Sequence, residues 1–254
     1  MSDRRNNAMA REAMARARLL AGYERGATRI FMGIYTKFGL EASKRMTDGH
    51  DPTLKAETQV EVMHGLQRVY AAVMPVMAER TTNQADSAKF FRRAIARKDA
   101  AYRIEEQIRR WTAVESFHHS VYITDTMFQQ VLDTVISNTE AGFSQDEMAT
   151  EIRKTVGKIS RANAARIART ETHGSAEYAN QAAMETVPGI QTKQWVAVAD
   201  FRTRDDHTAA DGQTVALDAS FRIGLDSLRF PGDPLAPPAQ TINCRCASLP
   251  PAIF

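Results

Sequence analysis

Cys244, Cys246 and His207 are the residues of this chain best suited to chemistry, because thiolate and imidazole are the donors zinc favours. Structural zinc usually takes four ligands. His207 is the third beside the two thiols, with His173 or Asp206 as a fourth. Spacing argues against the site. Residues two apart on a regular strand share a face but stand about 7 Å apart, so both sulfurs reach one ion only if the chain bends. The metal-free alternative makes Cys244 and Cys246 small buried hydrophobes packing a terminal strand, with Arg245 turned toward an acidic partner. The expectation is no cofactor, with zinc as the alternative. Either way, His207 should lie beside the Cys244 segment.

A second constellation, Glu171, His173, Asp205, Asp206 and His207, has the acids, bases and ligands of a hydrolase or transferase, with Glu171 and His207 at its centre. Helical spacing weakens it. Arg169, Glu171 and His173 alternate and point in different directions, while Thr170 can share a face with His173 or with Arg166. No glycine-rich phosphate loop, His-Glu-x-x-His or Gly-x-Ser-x-Gly occurs. The Arg169-Thr170-Glu171 run is therefore expected to form a buried hydrogen-bond network that ties its helix to the loops around Asp200 and Asp211, with no catalytic residue. Arg202 to His207 and Asp211-Gly212 are polar turns, and Trp195 on its alternating strand faces inward. His118 and His119 are adjacent, so they face different ways and share no metal.

Charge is unevenly placed. Lys and Arg outnumber Asp and Glu 21 to 13 in residues 1–110, fall to 0 against 6 in 111–150, and stand at 12 against 11 in 151–254. Arg153, Lys154, Lys158, Arg161, Arg166 and Arg169 form a basic run that could follow the phosphates of double-stranded DNA, weakly and without sequence preference. A solvated helix face is the alternative reading. No aromatic residue is interleaved, so base stacking is not expected. Two cysteines one residue apart make no disulfide framework, which fits synthesis in a reducing cytoplasm. No segment is long and apolar enough to span a membrane, and the first residues lack the apolar core of a signal peptide.

The elements that must position these residues can be read from periodicity. A helix over 8–37 carries Leu20, Tyr23, Ala27, Ile30, Ile34 and Phe38 at steps of three and four. A second carries Val62, Leu66, Val69, Val73 and Met77, with a kink or early end expected at Pro75. A third carries Phe91, Ile95, Tyr102, Ile108 and Trp111, with Arg92, Arg93 and Arg97 outward. Residues 1–25, rich in Ala and Arg, should extend from the body and dock on a partner. A hinge is expected at 115–122. Beyond it come a helix capped by Thr124 or Asp125 and ended by Gly142, a capping box Ser144 to Glu147, and a helix capped by Ser160. After Pro188-Gly189 the texture changes to strands at Thr192–Ala199, Gln213–Leu217 and Thr241–Ser248. The fold class is α+β: a long-helix N-terminal part, then a helical layer packed on a small β-sheet.

Several of these motifs occur in a telling order: Arg169-Thr-Glu171 on a helix, Trp195 on a strand, Asp200 and Arg202 leading to His207 in a turn, Asp211-Gly212, Pro231-Gly-Asp233, and Asn243-Cys-Arg245-Cys246. In this order the chain resembles the phage Mu F-like minor head protein family, the MuF or capsid morphogenesis domain, from about Thr126 to Cys246. It departs from the cysteine-rich members in having Arg204 where they carry the first cysteine of the turn, and Thr241-Ile-Asn243 before Cys244. The resemblance implies a structural minor head protein of a tailed phage or phage-like particle. Such a protein is found in the virion, in the head interior or at the portal vertex, with the portal protein or the major capsid protein as partners and packaged DNA nearby. MuF domains also precede toxin domains, but with eight residues after Cys246 none is expected here. The division expected is a helical extension over 1–119 and the MuF-like α+β domain over 120–254, which should fold alone.

Overall fold

The computed structural model describes residues 2–52, 55–88, 94–198 and 200–254. Phe91, Arg92, Arg93 and Ala199 lie outside the described residues, as do the side chains of Ile95 and Arg97. Four long helices come first: α1 (Ser2–Thr47), α2 (Lys55–Ser87), α3 (Ala94–Glu140) and α4 (Gln145–Thr186). Short elements follow: β1 (Thr192–Val196), α5 (Asp205–Ala209), β2 (Thr214–Ala216), β3 (Phe221–Ile223), β4 (Asp226–Leu228), α6 (Pro238–Thr241), β5 (Ala247–Leu249) and a closing 3-10 turn at Pro251–Ile253. The fold is α+β, as its periodicities require.

The helices are longer than the sequence suggested. Residues 115–122, read as a hinge, are uninterrupted helix inside α3, and α2 runs through Pro75. Ser160 caps nothing; it lies inside α4, where its hydroxyl donates to the Gly157 carbonyl at 3.2 Å. The boundary between α3 and α4 was legible. Gly142 adopts φ 77°, the Phe143 N–H reaches back to the Asn138 carbonyl, and the Glu147 carboxylate accepts from the Ser144 N–H at 2.8 Å.

Two compact units make up the chain: residues 1–23, 69–112 and 169–254 form one, and 24–68 with 113–168 the other. A boundary after residue 119 falls inside α3, and both units draw on residues from either side of it. The second unit is helical. Phe31, Tyr35 and Phe38 of α1 are buried, as are Val62 and Leu66 of α2, Met127 and Val131 of α3, and Ile152 and Val156 of α4. Helices approach closely at Gly39, where a Cβ would lie 2.8 Å from a Val156 methyl.

The first unit carries the sheet, antiparallel in the order β2-β1-β5, and the β3–β4 hairpin. Trp195, Phe221, Ile223 and Leu228 form its apolar centre together with Cys244 and Cys246. Met9 and Ala13 pack against Val196, Ala247 and Leu249. The N-terminal segment is thus part of this core rather than an extended arm, because its few large side chains find the far side of the sheet. Arg16, 1% exposed, donates to Glu12 at 2.9 Å and to the Thr81 hydroxyl at 3.3 Å. Burial works to raise the Glu12 carboxyl, but hydrogen bonds from Arg80 and Arg16 outweigh it and hold the pKa at about 2. In α3, Tyr102 faces solvent and Ile104 is buried in its place.

Candidate functional site

The chain between α6 and β5 does not form the regular strand expected over 241–248. Asn243 takes φ 59°, a left-handed conformation that is uncommon outside glycine, and the backbone turns there. That turn supplies the bend the two thiols needed. Nδ1 of His207 lies 3.4 Å from Sγ of Cys246 and 3.7 Å from Sγ of Cys244, and the three candidate donor atoms all fall within 4.8 Å of one another. All three side chains are buried. His173 and Asp206 do not join them among the described residues.

The His207 ring is fixed from three sides. Trp195 meets it edge-on at 5.4 Å between centroids, and α5 carries it into the core directly after the polar turn. On its far side Nε2 lies 2.9 Å from Oε1 of Gln240, whose amide nitrogen donates to Asp226 at 3.0 Å. A carboxylate accepts, so the amide must offer its oxygen to the ring, and Nε2 carries the proton. Nδ1 therefore faces the sulfurs with its lone pair, as the acceptor of a thiol hydrogen bond. The hydrogen bond from Cys244, with help from His207, brings the Cys246 thiol down to about 5 against the cost of burial. The same Cys244–Cys246 hydrogen bond, together with burial, pushes Cys244 well up. Gln240 and Asp226 were missed from sequence, since neither belongs to a motif.

A nitrogen and two sulfurs are a donor set suited to zinc, oriented by an amide-carboxylate relay of the kind that fixes metal-bound imidazoles. His207, Cys244 and Cys246 would hold such an ion. They supply three donors where closed structural sites use four, and Arg204, in the turn before His207, donates to the Ile242 carbonyl.

The remaining signature residues hold one another. Asp200 receives Arg245 through both carboxylate oxygens, at 2.5 and 2.7 Å, and that hydrogen bond holds its pKa far below the usual carboxylate range. Asp200 also accepts from the Arg202 N–H at 3.0 Å, closing the turn toward α5. Asp211 accepts from the Ala197 N–H at 2.8 Å, and Gly212, at φ 78°, donates its N–H to the Trp195 carbonyl at 2.9 Å. Arg169 donates to the Asn243 side chain at 2.8 Å, and the Asn243 N–H reaches the Thr170 hydroxyl at 3.2 Å. The Arg-Thr-Glu helix therefore clamps the turn before the cysteines, rather than the loops at Asp200 and Asp211.

Glu171 faces elsewhere, accepting from the Tyr70 hydroxyl at 2.5 Å. His173 is buried against the Cys246 backbone, and desolvation lowers its pKa to about 4. The hydrolase constellation is dispersed: Glu171 is bound to α2, His207 sits with the cysteines, and Asp205 and Asp206 are exposed. In the basic run, Arg153, Lys154, Lys158, Arg161 and Arg166 are exposed on α4, and Lys154 pairs with Glu151 at 2.7 Å. Arg169 is half-buried and committed to Asn243.

Residues 129–249, a little under half of the chain, match the family described as Phage Mu protein F like protein. A 128-residue stretch is 31% identical to the NAD(+)--arginine ADP-ribosyltransferase EFV of Enterococcus faecalis, covering 49% of this chain and 26% of that protein. The chain thus spans about a quarter of that relative's length. No solved structure matches the chain. Among the described residues no helix is long and apolar enough to cross a membrane.

Proposed function

We propose that the chain is a structural minor head protein of a tailed phage or phage-like particle, retained in the virion through the portal protein or the major capsid protein during head assembly. The observation that carries this reading is how the family's signature residues are used. Arg169, Thr170, Asp200, Asn243 and Arg245 are engaged with one another around the turn that seats Cys244 and Cys246. These side chains hold the loop cluster together, a use that supports a structural role. The decisive experiment is proteomic: the protein should be present in purified mature particles and co-purify with portal or capsid protein. Its absence from both overturns the reading.

The exposed residues Arg153, Lys154, Lys158, Arg161 and Arg166 supply the proposed contact with packaged double-stranded DNA. They lie on successive turns of one helix, which suits phosphate contacts without base readout. Binding should be micromolar and fall steeply as salt rises. Binding that ignores salt, or none at low salt, removes DNA from the proposal.

Transferase activity is a second reading, favoured by the partial match to an arginine ADP-ribosyltransferase. Its test is transfer of label from NAD to an arginine-rich protein by the wild-type chain and by Glu171→Ala and His207→Ala variants. Label transfer lost in both variants, with folding intact, would replace the structural reading.

A further inference from the structure

The half of α3 that lies in the helical unit is apolar on two faces, since Met127 and Val131 are buried on its inward side. Its inward positions include Ser116, Ser120, Thr124 and Thr134, all buried. Val114, Phe117 and Ile136 are each about half exposed, at 50%, 51% and 48%, and the partly buried Val121, Phe128 and Leu132 lie between them along the helix. At 3.6 residues per turn these six side chains fall within an arc of about 100°, which is the width of a face meant for burial. Isolated apolar residues on a surface mean little, but a stripe interrupted by one acid, Asp125, is a patch. Val114, Val121 and Phe128 recur every seven residues, the period at which a second helix packs along a first.

Charge says what kind of helix. From residue 111 to 152 there is no Lys or Arg, while Glu115, Asp125, Asp133 and Glu140 lie along this part of α3. The chain already places one cation on the stripe: Lys55 of α2 bridges Asp125 at 2.7 Å and sets its ammonium 5.9 Å from the Phe128 ring centre. We infer that the α3 stripe from Val114 to Ile136 is a docking surface for a helix of another protein, one with an apolar seam flanked by Lys or Arg. A second α3 would bring acid against acid, and DNA or an anionic lipid surface would be repelled by the same carboxylates. The inference stands on α3 itself and does not depend on the particle the chain serves.

The test uses the full chain and a synthetic amphipathic helical peptide with leucine at its a and d positions and lysine at the flanks, followed by fluorescence anisotropy at low and high salt. A control peptide carries Glu for every Lys. The lysine peptide should bind, weaken with salt, and outbind the control by at least about tenfold. Phe117→Ser with Ile136→Ser, at two half-exposed positions, should cut that binding by about tenfold or more while the helical melt is kept. Equal binding of both peptides, no binding of either, or binding unchanged in the double variant overturns the inference. So does sedimentation showing a dimer of the free chain that the double variant abolishes, since a second copy would then own the surface.

Discussion

Nε2 of His207 lies 2.9 Å from Oε1 of Gln240, and this contact decides what the other side of the ring can do. Because the Gln240 amide nitrogen is already given to Asp226, the proton sits on Nε2 and the sulfurs meet Nδ1. A buried imidazole is thus presented to two thiols by residues from the β4 hairpin strand and from α6, which no local motif connects.

The first prediction concerns metal. With three donors and Arg204 bonded to Ile242, the cluster is expected to stand on thiol-to-imidazole hydrogen bonds, and protein purified without chelator should carry well under one equivalent of zinc by elemental analysis. One equivalent of zinc, lost together with thermal stability in His207→Ala, would establish a metal centre instead.

Backbone strain at Asn243 gives a second test. Asn243→Gly and Asn243→Ala both lose the bond from Arg169, so their difference isolates the left-handed φ of 59°. The alanine variant should be less stable than the glycine variant by about 1 kcal/mol in chemical denaturation. Equal stabilities would mean that the turn relaxes when its side chain is removed.

What the sequence made legible was local. The capping box at Ser144, the stop at Gly142 and the inward Trp195 follow from neighbouring residues and were readable without a structure. Strand pairing and the meeting of His207 with the cysteines depend on residues 37 and 39 positions away, joined only by folding. The β3–β4 hairpin went unread because each strand has three residues, too few for alternation to register. The hinge read at 115–122 was set between the two expected halves of the chain, and the helix continues through it without a break.

Met9 carries the third prediction. It is 1% exposed and packs with Val196, Ala247 and Leu249, so Met9→Ala should cost about 2–5 kcal/mol despite lying near the chain's start. For the same reason, residues 120–254 prepared alone should lack protected β1 and β5 amides in hydrogen exchange. A variant as stable as the wild type would return residues 1–25 to the role of a partner-docking arm.

Glu177 gives the last prediction, in the pH dependence of stability. Its carboxylate is 1% exposed and accepts from the Ser248 N–H at 3.0 Å and the Asn180 amide at 3.3 Å, yet burial outweighs these bonds and raises its pKa from 4.5 to about 7. A group whose pKa rises on folding holds its proton more tightly in the folded state. Its contribution is full below 4.5 and is lost as pH rises through about 7. His173 works in the opposite sense: burial lowers its pKa from 6.5 to about 4, so its contribution is present above 6.5 and lost as pH falls through about 4. The two slopes overlap, and the wild-type profile alone cannot separate them. Glu177→Gln keeps an oxygen for the Ser248 N–H but cannot ionise, so it removes one slope only. Denaturation at mildly acidic and mildly alkaline pH should show the variant gaining on the wild type by up to about 3 kcal/mol at the alkaline end, where the wild type must hold a buried charge or a proton against the solvent. Parallel profiles for the two proteins would show that Arg16, which lowers the Glu177 pKa electrostatically, already neutralises the carboxylate in the fold.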